Sequence, residues 1–183
     1  MRECYISVDI EATGPTPGSC GMYELGACVI GQNETFEKNL ALMPGTKFDA
    51  AALRTVGTTK RKLLNRGDAV TPVHAMDAFA RWARKVAGKR QLVFVANNAP
   101  FDWMFVAWYL EKFGVTNPFG HSALDMKAYF MGLTGCTWKD ATLANMARHA
   151  GVHFEGIPHN ALQDAIIQGR IFDRLLNLTK ETL

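Results

Sequence analysis

The sequence lacks any run of about 20 apolar residues, the length that a helix needs to cross a bilayer. Its first residues, MRECYISVDIE, also lack the apolar core and the small-residue cleavage site of a secretory signal. The four cysteines form no CxxC pair, and no histidine lies near them at zinc-finger spacing. We therefore expect reduced thiols in a cytoplasmic protein without a membrane segment.

Linkers, internal repeats and low-complexity segments are absent too, and the aromatic, charged and glycine contents are ordinary. The chain has 183 residues, of which 48% are hydrophobic, and this is enough to bury a sizeable core. We therefore expect residues 1–183 to form a single domain.

Short apolar runs and helical periodicities follow one another along the chain. Thr71 and Asp140 are predicted N-caps, and a short loop predicts antiparallel pairing of the second and third strands. Strands are predicted at 4–11, 22–31, 34–42 and 91–98, a short strand and a short helix within 122–135, and other helices at 49–57, 58–67, 71–88, 100–114, 140–151 and 161–179. This order predicts an α/β domain with a mixed sheet.

Two carboxylates, Asp9 and Glu11, lie two residues apart in the first predicted strand. Side chains alternate along a strand, so both point to the same face. A buried carboxylate pair is unfavourable unless positive charge lies against it, and either a salt bridge or a divalent cation meets that need. A Gly-Pro turn follows at residues 14–15, which places the pair near a strand end, where ligands bind in open α/β sheets.

Other polar residues stand out later in the chain. Asp102 lies just after a buried strand at the start of a helix, where a carboxylate also complements the helix dipole. His159 lies in a loop after Pro158, and Asp164 lies five residues further on, in the first turns of the last helix. The neighbours of Asp164 are apolar, which favours a buried or site-facing position for its side chain.

These residues, taken in order, resemble the three motifs of the DEDDh family of 3′–5′ exonucleases, which includes proofreading subunits, RNase T and oligoribonuclease. The motifs are D-x-E at 9–11, N-x-x-x-D at 98–102 and H-x-x-x-x-D at 159–164. The resemblance covers about residues 5–172 and departs at Asn97, where many relatives have histidine. It implies an RNase H-like fold with a mixed five-stranded sheet flanked by helices.

The resemblance implies a metal-dependent 3′–5′ exonuclease that hydrolyses phosphodiester bonds at the 3′ end of single-stranded nucleic acid and releases 5′-monophosphates. Two Mg²⁺ or Mn²⁺ ions about 3.5–4 Å apart would hold the attacking and leaving oxygens. Asp9, Glu11, Asp102 and Asp164 are the expected ligands. His159 is the expected general base, because histidine, with an ordinary pKa of about 6.5, is largely neutral near pH 7.

Contacts with the substrate are also implied. By resemblance, Ala12, Thr13 and Asn98 approach the 3′-terminal nucleotide. Met22 and Phe101 are candidates to stack on bases, as aromatic and apolar side chains do in single-strand binders.

Two further residues lie close to the motifs. Trp103 is next to Asp102, but the apolar pattern of its helix favours packing in the core. Asp125 resembles an acidic position common in the family, and we expect it to support the site by hydrogen bonding rather than to bind metal.

The basic residues form a further pattern. The formal net charge is +3, and without the four expected ligands 13 acidic residues remain against 20 basic ones, a charge near +7 that suits a phosphate backbone. A solvated helix face is the simpler interpretation of each single residue. The candidates for backbone contacts are Lys60, Arg61, Lys62 and Arg66, and then Arg81, Arg84, Lys85, Lys89 and Arg90.

The substrate stays open between RNA, DNA and very short oligonucleotides. Resemblance to the stand-alone RNase T and oligoribonuclease types favours RNA and implies a homodimer. Two other functions stay open: a non-catalytic nucleic-acid-binding protein on the same fold, and a metal-dependent phosphohydrolase that acts on small nucleotides.

Overall fold

The computed structural model describes the backbone of residues 3–182 and the side chains of residues 3–179. Strands and helices follow one another in nearly the predicted order. They are β1 Glu3–Ala12, β2 Met22–Val29, β3 Thr35–Asn39, α1 Ala50–Thr55, α2 Lys60–Leu64, α3 Pro72–Ala87, β4 Gln91–Ala96, α4 Ala99–Lys112, β5 Ala123–Asp125, α5 Met126–Thr134, α6 Leu143–Ala150 and α7 Ala161–Thr182.

The strands of residues 3–182 form one mixed sheet in the order β3-β2-β1-β4-β5. The β1–β2 and β2–β3 pairs are antiparallel, as the hairpin pattern predicts for the second and third strands. The β1–β4 and β4–β5 pairs are parallel. The predicted α/β domain with a mixed five-stranded sheet flanked by helices is confirmed, and β1 lies at its centre.

The two faces of the sheet carry separate apolar cores. On one face, Ile6, Val8 and Ile10 of β1 pack with residues of α3 and α4, such as Phe79 and Phe105. On the other face, apolar residues of β4, α5, α6 and α7 pack together. Because even-numbered residues of β1 occupy the first core, its odd-numbered residues face α7, and these include both carboxylates of the strand.

Helix α7 lies unusually close to the sheet, and glycines permit this approach. A Cβ atom added at Gly26 of β2 would overlap the backbone of Ala161 and Leu162. A Cβ atom at Gly169 would lie 2.9 Å from the Sγ of Cys28. The start of α7 therefore sits directly over β1 and β2, on the face where the carboxylates emerge.

The predicted helix caps are only partly correct. Thr71 precedes α3, with Pro72 in the first turn, but its side chain makes no capping hydrogen bond. Asp140 is not the cap of α6: the hydroxyl of Thr142 accepts from Asn145 N instead, and α6 begins at Leu143. The carboxylate of Asp140 accepts a hydrogen bond from Thr137 Oγ1 at 2.6 Å, which holds it in the preceding turn.

The sequence led us to expect reduced cysteines and no membrane segment. All four cysteines are free thiols, and Cys4, Cys20 and Cys28 are buried. Among residues 3–182, none of the helices is both long enough and apolar enough for a membrane span.

Candidate active site

The first two carboxylates, of Asp9 and Glu11, lie near the end of β1. The β1–β2 register shifts between Glu11 and Ala12, so the strand breaks just after the second carboxylate. Thr13 fastens the chain there: its hydroxyl accepts from Gly21 N at 2.9 Å and donates to Lys47 O at 2.7 Å. These bonds hold the loop after Glu11 in place.

The third carboxylate comes from the junction of β4 and α4. Asn98 adopts a left-handed conformation (φ 63°, ψ 48°), which turns the chain sharply into the helix. Asp102 follows in the first turn of α4, is only 4% exposed, and its Oδ1 accepts from Ile10 N at 3.0 Å. This bond joins the start of α4 to the strand that carries the first two carboxylates.

Asp125 secures the same junction from the next strand. Its carboxylate accepts from Ala99 N, at the start of α4, and from Ala128 N, at the start of α5. It does not line the site cleft. The structure thus places Asp125 where a supporting hydrogen-bond role was expected.

The last two residues come from the entry to α7. His159 has φ 56°, a conformation that is uncommon for residues other than glycine and that the surrounding structure must hold. Asp164 lies in the first turn of α7 and is 1% exposed. Its Oδ1 atom is buried without a hydrogen-bond partner among the described residues.

One cleft of about 510 Å³ contains all five expected catalytic residues. Three of the expected substrate contacts, Ala12, Asn98 and Phe101, line it as well. The ligand atoms of Glu11, His159 and Asp164 lie within 4.8 Å of one another. The expected catalytic residues that line the cleft are Asp9, Glu11, Asp102, His159 and Asp164.

Two expected substrate contacts are not in the cleft. The side chain of Met22 is fully buried in the core beneath α4, so it cannot stack on a base. The side chain of Thr13 is also fully buried, and its hydroxyl is engaged in the loop bonds described above. Trp103 packs edge-on against Phe94 and Phe119, in agreement with the expected core position.

Burial and mutual repulsion raise the pKa values of the carboxyl groups. Burial is the main cause for Glu11, whose pKa rises to about 8 with further contributions from Glu24 and Asp164. The pKa of Asp164 rises to about 6 through burial, although His159 opposes the rise. Burial and the neighbouring carboxylates also raise the pKa of Asp9, and burial raises that of Asp102.

The four carboxylates lack a fixed counter-charge. In the part of the chain with described side chains, none of them forms an ion pair with lysine or arginine. His159 comes nearest, with Nδ1 4.0 Å from Glu11 Oε1. Several oxygen donors, one of them an unpaired buried oxygen of Asp164, are the ligand set that Mg²⁺ and Mn²⁺ prefer. The residues present therefore fit divalent cations.

Glu24 is a fifth carboxylate that the sequence analysis missed. It is the cross-strand partner of Glu11 on β2, and its Oε1 lies 2.8 Å from Arg66 Nη1. Arg66 also contacts Asp68, so this arginine, a candidate for backbone contacts, is engaged within the protein. Its position as a lone acidic residue in an otherwise apolar strand could have marked Glu24 as a candidate site residue.

Gln168 and the position of helix α1 beside the cleft were missed as well. Gln168 lies four residues after Asp164, a spacing that places both on one face of α7, and it lines the cleft. Helix α1 forms a wall of the cleft with Asp49, Ala51, Ala52, Thr55 and Val56. A helix was predicted at 49–57, but no local sequence pattern shows that it borders the cleft, since its place depends on a bond from Asp49 N to Thr13 O.

The fold and relatives of this chain place it among the 3′–5′ exonucleases of the DEDDh class, which are hydrolases acting on nucleic acid. Residues 4–176 match the model of the family described as the 3'-5' exoribonuclease Rv2179c-like domain. The chain belongs to this family. It is also 34% identical over 182 residues to the 3'-5' DNA exonuclease Cap18 of Escherichia coli, with 98% of this chain and 95% of the relative covered.

Solved structures confirm the expected RNase H-like fold. The nuclease domain of 3'hExo, a DEDDh family member, matches with a TM-score of 0.78, 18% identity and coverage of 96% of this chain and 92% of that domain. The S. pombe Pop2p structure, described as its Mg2+ and Mn2+ bound form, matches with a TM-score of 0.64, 15% identity and coverage of 93% and 82%. Cell-death related nuclease 4 matches with a TM-score of 0.72 and 16% identity, covering 97% of this chain and 64% of the nuclease.

Proposed function

We propose that the protein shortens single-stranded nucleic acid from a free 3′ end and releases 5′-monophosphates. The observation that carries this proposal is the convergence of four carboxylates and one histidine in a single cleft. The three segments that supply them meet at one end of β1, around a cleft of about 510 Å³. The presence of all five residues argues against a non-catalytic binding protein on this fold.

The proposed cofactor is a pair of Mg²⁺ or Mn²⁺ ions held by Asp9, Glu11, Asp102 and Asp164. When bound, the ions would offset the charge of the scissile phosphate and of the attacking and leaving oxygens. The pKa shifts support this assignment, because carboxyl groups that repel one another are stabilised in ionised form by a cation.

His159 is the proposed general base. Its side chain is 32% exposed at the mouth of the cleft, so it can take a proton from the attacking water at an imidazole nitrogen and pass it to solvent. Its loop position before α7 keeps the ring beside Glu11 and Asp164 without burying it.

The 3′-terminal nucleotide is proposed to lie between the loop after β1 and the start of α4. The small side chain of Ala12 leaves space for it, the half-buried ring of Phe101 offers a face for stacking, and Asn98 is exposed for a polar contact. On the opposite wall, α1 contributes small or apolar side chains such as Ala52 and Val56.

RNA is the proposed preferred substrate over DNA. Support comes from the family description, which names an exoribonuclease, and from the likeness to stand-alone RNA-trimming exonucleases. The E. coli relative is described as a DNA exonuclease, so a direct comparison is needed. The 2′-hydroxyl is the group through which a protein distinguishes the two polymers.

A time course with 5′-labelled single-stranded RNA and DNA of matched sequence tests these proposals. With Mn²⁺ we expect a ladder that shortens from the 3′ end, faster for RNA, and no products with EDTA. Asp164→Asn is the matched control, because it removes one carboxylate charge without changing side-chain size. Faster DNA trimming would overturn the RNA preference. Hydrolysis of mononucleotide esters without trimming would favour a small-nucleotide phosphohydrolase.

Three further proposals concern the protein as a whole. We propose that residues 1–183 act as a single exonuclease domain, supported by the family match over 4–176.

A homodimer is proposed from the likeness to stand-alone exonucleases, and light scattering after size exclusion tests it. A reducing, cytoplasmic location is proposed from the free thiols, and fluorescent tagging with fractionation tests it.

A further inference from the structure

Gln168 connects two parts of the active site through one buried side-chain amide. Its Nε2 donates to Asp9 Oδ1 at 2.7 Å, and its Oε1 accepts from Asn97 N at 2.9 Å. The residue is only 4% exposed and lies one helical turn after Asp164 on α7. The amide therefore joins α7 to β1 and to the junction of β4 and α4.

These three connected segments carry all the expected metal ligands, with Glu11 beside Asp9 on β1. Asp9 is on β1, Asp164 is on α7, and Asp102 follows Asn97 by five residues. A hydrogen bond from Ile10 N to Asp102 joins β1 to α4 directly. The bonds of Gln168 are the described side-chain bonds that link α7 to the other two segments at the floor of the cleft.

The amide of Gln168 satisfies both partners at once, which neither glutamate nor methionine of similar length would do. Asn97 N needs an acceptor, while the carboxylate of Asp9 needs a donor. Glutamate at this position would still accept from Asn97 N, but it would face Asp9 with a second negative charge. Methionine has nearly the same length and offers neither bond.

We propose that Gln168 is a positioning residue that fixes the carboxylate of Asp9 relative to Asp102 and Asp164, and thereby sets the affinity of the site for divalent cations. This inference rests on the proposed function, because it assumes that these carboxylates bind metal. Hydrogen-bond partners of metal ligands typically contribute about 10–100-fold to metal affinity or activity.

Calorimetric titration with Mn²⁺ in the absence of nucleic acid tests the proposal. In Gln168→Met we expect Mn²⁺ affinity to fall about 10–100-fold. In the trimming assay, raising Mn²⁺ should restore part of kcat, while KM for the oligonucleotide stays within about twofold because no substrate contact is lost. The matched control is Gln163→Met, since Gln163 is an exposed glutamine on the same helix that does not line the cleft.

Gln168→Glu provides a second test in case the methionine variant does not fold. It keeps the acceptor for Asn97 N, removes the donor to Asp9 and places a second negative charge there, so we expect kcat to fall at least about tenfold with KM unchanged. Wild-type Mn²⁺ affinity in a folded Gln168→Met protein, or wild-type kcat in Gln168→Glu, would overturn the positioning role alone. Failure of the wild-type protein itself to bind Mn²⁺ would instead overturn the proposed function on which it rests.

Discussion

Glu11 and Glu24 are cross-strand partners on β1 and β2, yet among residues 3–179 only Glu24 has a fixed cation, with Arg66 Nη1 2.8 Å from its Oε1. Glu24 also lies 3.4 Å from Ala161 N, at the start of α7. Of two adjacent carboxylates, one is neutralised by the protein and serves the fold. The other is left with a pKa raised to about 8 and faces the cleft.

The first prediction concerns Glu11 and the pH dependence of stability without metal. Its pKa rises from 4.5 to about 8 on folding, so the folded state binds more protons than the unfolded state between these values. This contribution to stability is complete below about pH 4.5 and is lost as the pH rises through about 8. In EDTA, the melting temperature of the wild-type protein should therefore fall between pH 6 and pH 9.

Glu11→Gln removes this charge and should melt about 2–4 °C above the wild-type protein in EDTA at about pH 8.5, a gain of about 1 kcal/mol. With Mn²⁺ the wild-type protein should instead have the higher melting temperature, because it gains more binding energy from the ion. Differential scanning fluorimetry measures both effects. Equal melting temperatures in EDTA at high pH would contradict the repulsion inferred for this carboxyl group.

The second prediction concerns His159. His159→Ala should lower kcat by about 10²–10⁴ near neutral pH, because positioned proton transfer contributes that much to many hydrolytic steps. The pH–rate profile should also lose its acidic limb, and a profile unchanged in shape would remove His159 from the role of base. His153→Ala is the matched control, since His153 is a largely exposed histidine that pairs with exposed Glu155.

The third prediction concerns the basic residues of α2. Lys60, Arg61 and Lys62 are exposed, and α2 follows α1, which forms a wall of the cleft. Replacing all three by glutamine should raise KM for an oligonucleotide while leaving kcat within about twofold. It should also reduce the slope of log affinity against log salt by about 2, since each lost single-strand phosphate contact accounts for about 0.7.

The control for α2 lies on the other basic segment. Lys85 and Lys89 are exposed at the end of α3 and do not line the cleft. Of their neighbours, Arg81 pairs with Asp77, while Arg84 and Arg90 donate to backbone carbonyls. Replacing Lys85 and Lys89 by glutamine should leave the salt slope unchanged. An equal reduction of the salt slope in both variants would indicate a general effect of charge rather than binding of the nucleic-acid backbone along α2.

The fourth prediction concerns Gly26. Gly26→Ala would place a Cβ atom against the backbone of Ala161 and Leu162, so α7 must move away from the sheet. We expect a loss of about 1–3 kcal/mol in stability and weaker Mn²⁺ binding, because Asp164 moves with the helix. Denaturant unfolding and Mn²⁺ titration measure these effects.

Gly132→Ala is the matched control for Gly26. Gly132 lies in α5 with open space around it, and alanine there should raise stability by about 0.5–1 kcal/mol. Wild-type stability and Mn²⁺ affinity in Gly26→Ala would show that the close approach of α7 is not required.

Sequence reasoning succeeded where a short-range rule determines the outcome. The alternation of β1 placed Asp9 and Glu11 on one face, and the spacing of His159 and Asp164 placed them at the entry to α7. The resemblance to a known family then united these segments into one site.

Sequence reasoning failed where the answer depends on how distant segments meet. The alternation of β1 does not determine which residues of β2 face the cleft, because the turn between the two strands can reset it. The sequence therefore could not show that Met22 is buried on the face opposite the carboxylates. Arg66 is indistinguishable from its basic neighbours until β2 brings Glu24 against it. Helix α1 reaches the cleft only because the loop before it is bonded to the loop after β1.

Asp125 connects the helices on the two faces of the sheet. Its single carboxylate starts both α4 and α5, which belong to the cores on opposite faces of the sheet. The two layers are thus connected through this carboxylate, next to the end of β4. We therefore expect core variants on either face to disturb this shared acceptor and, with it, the start of α4, which carries Asp102.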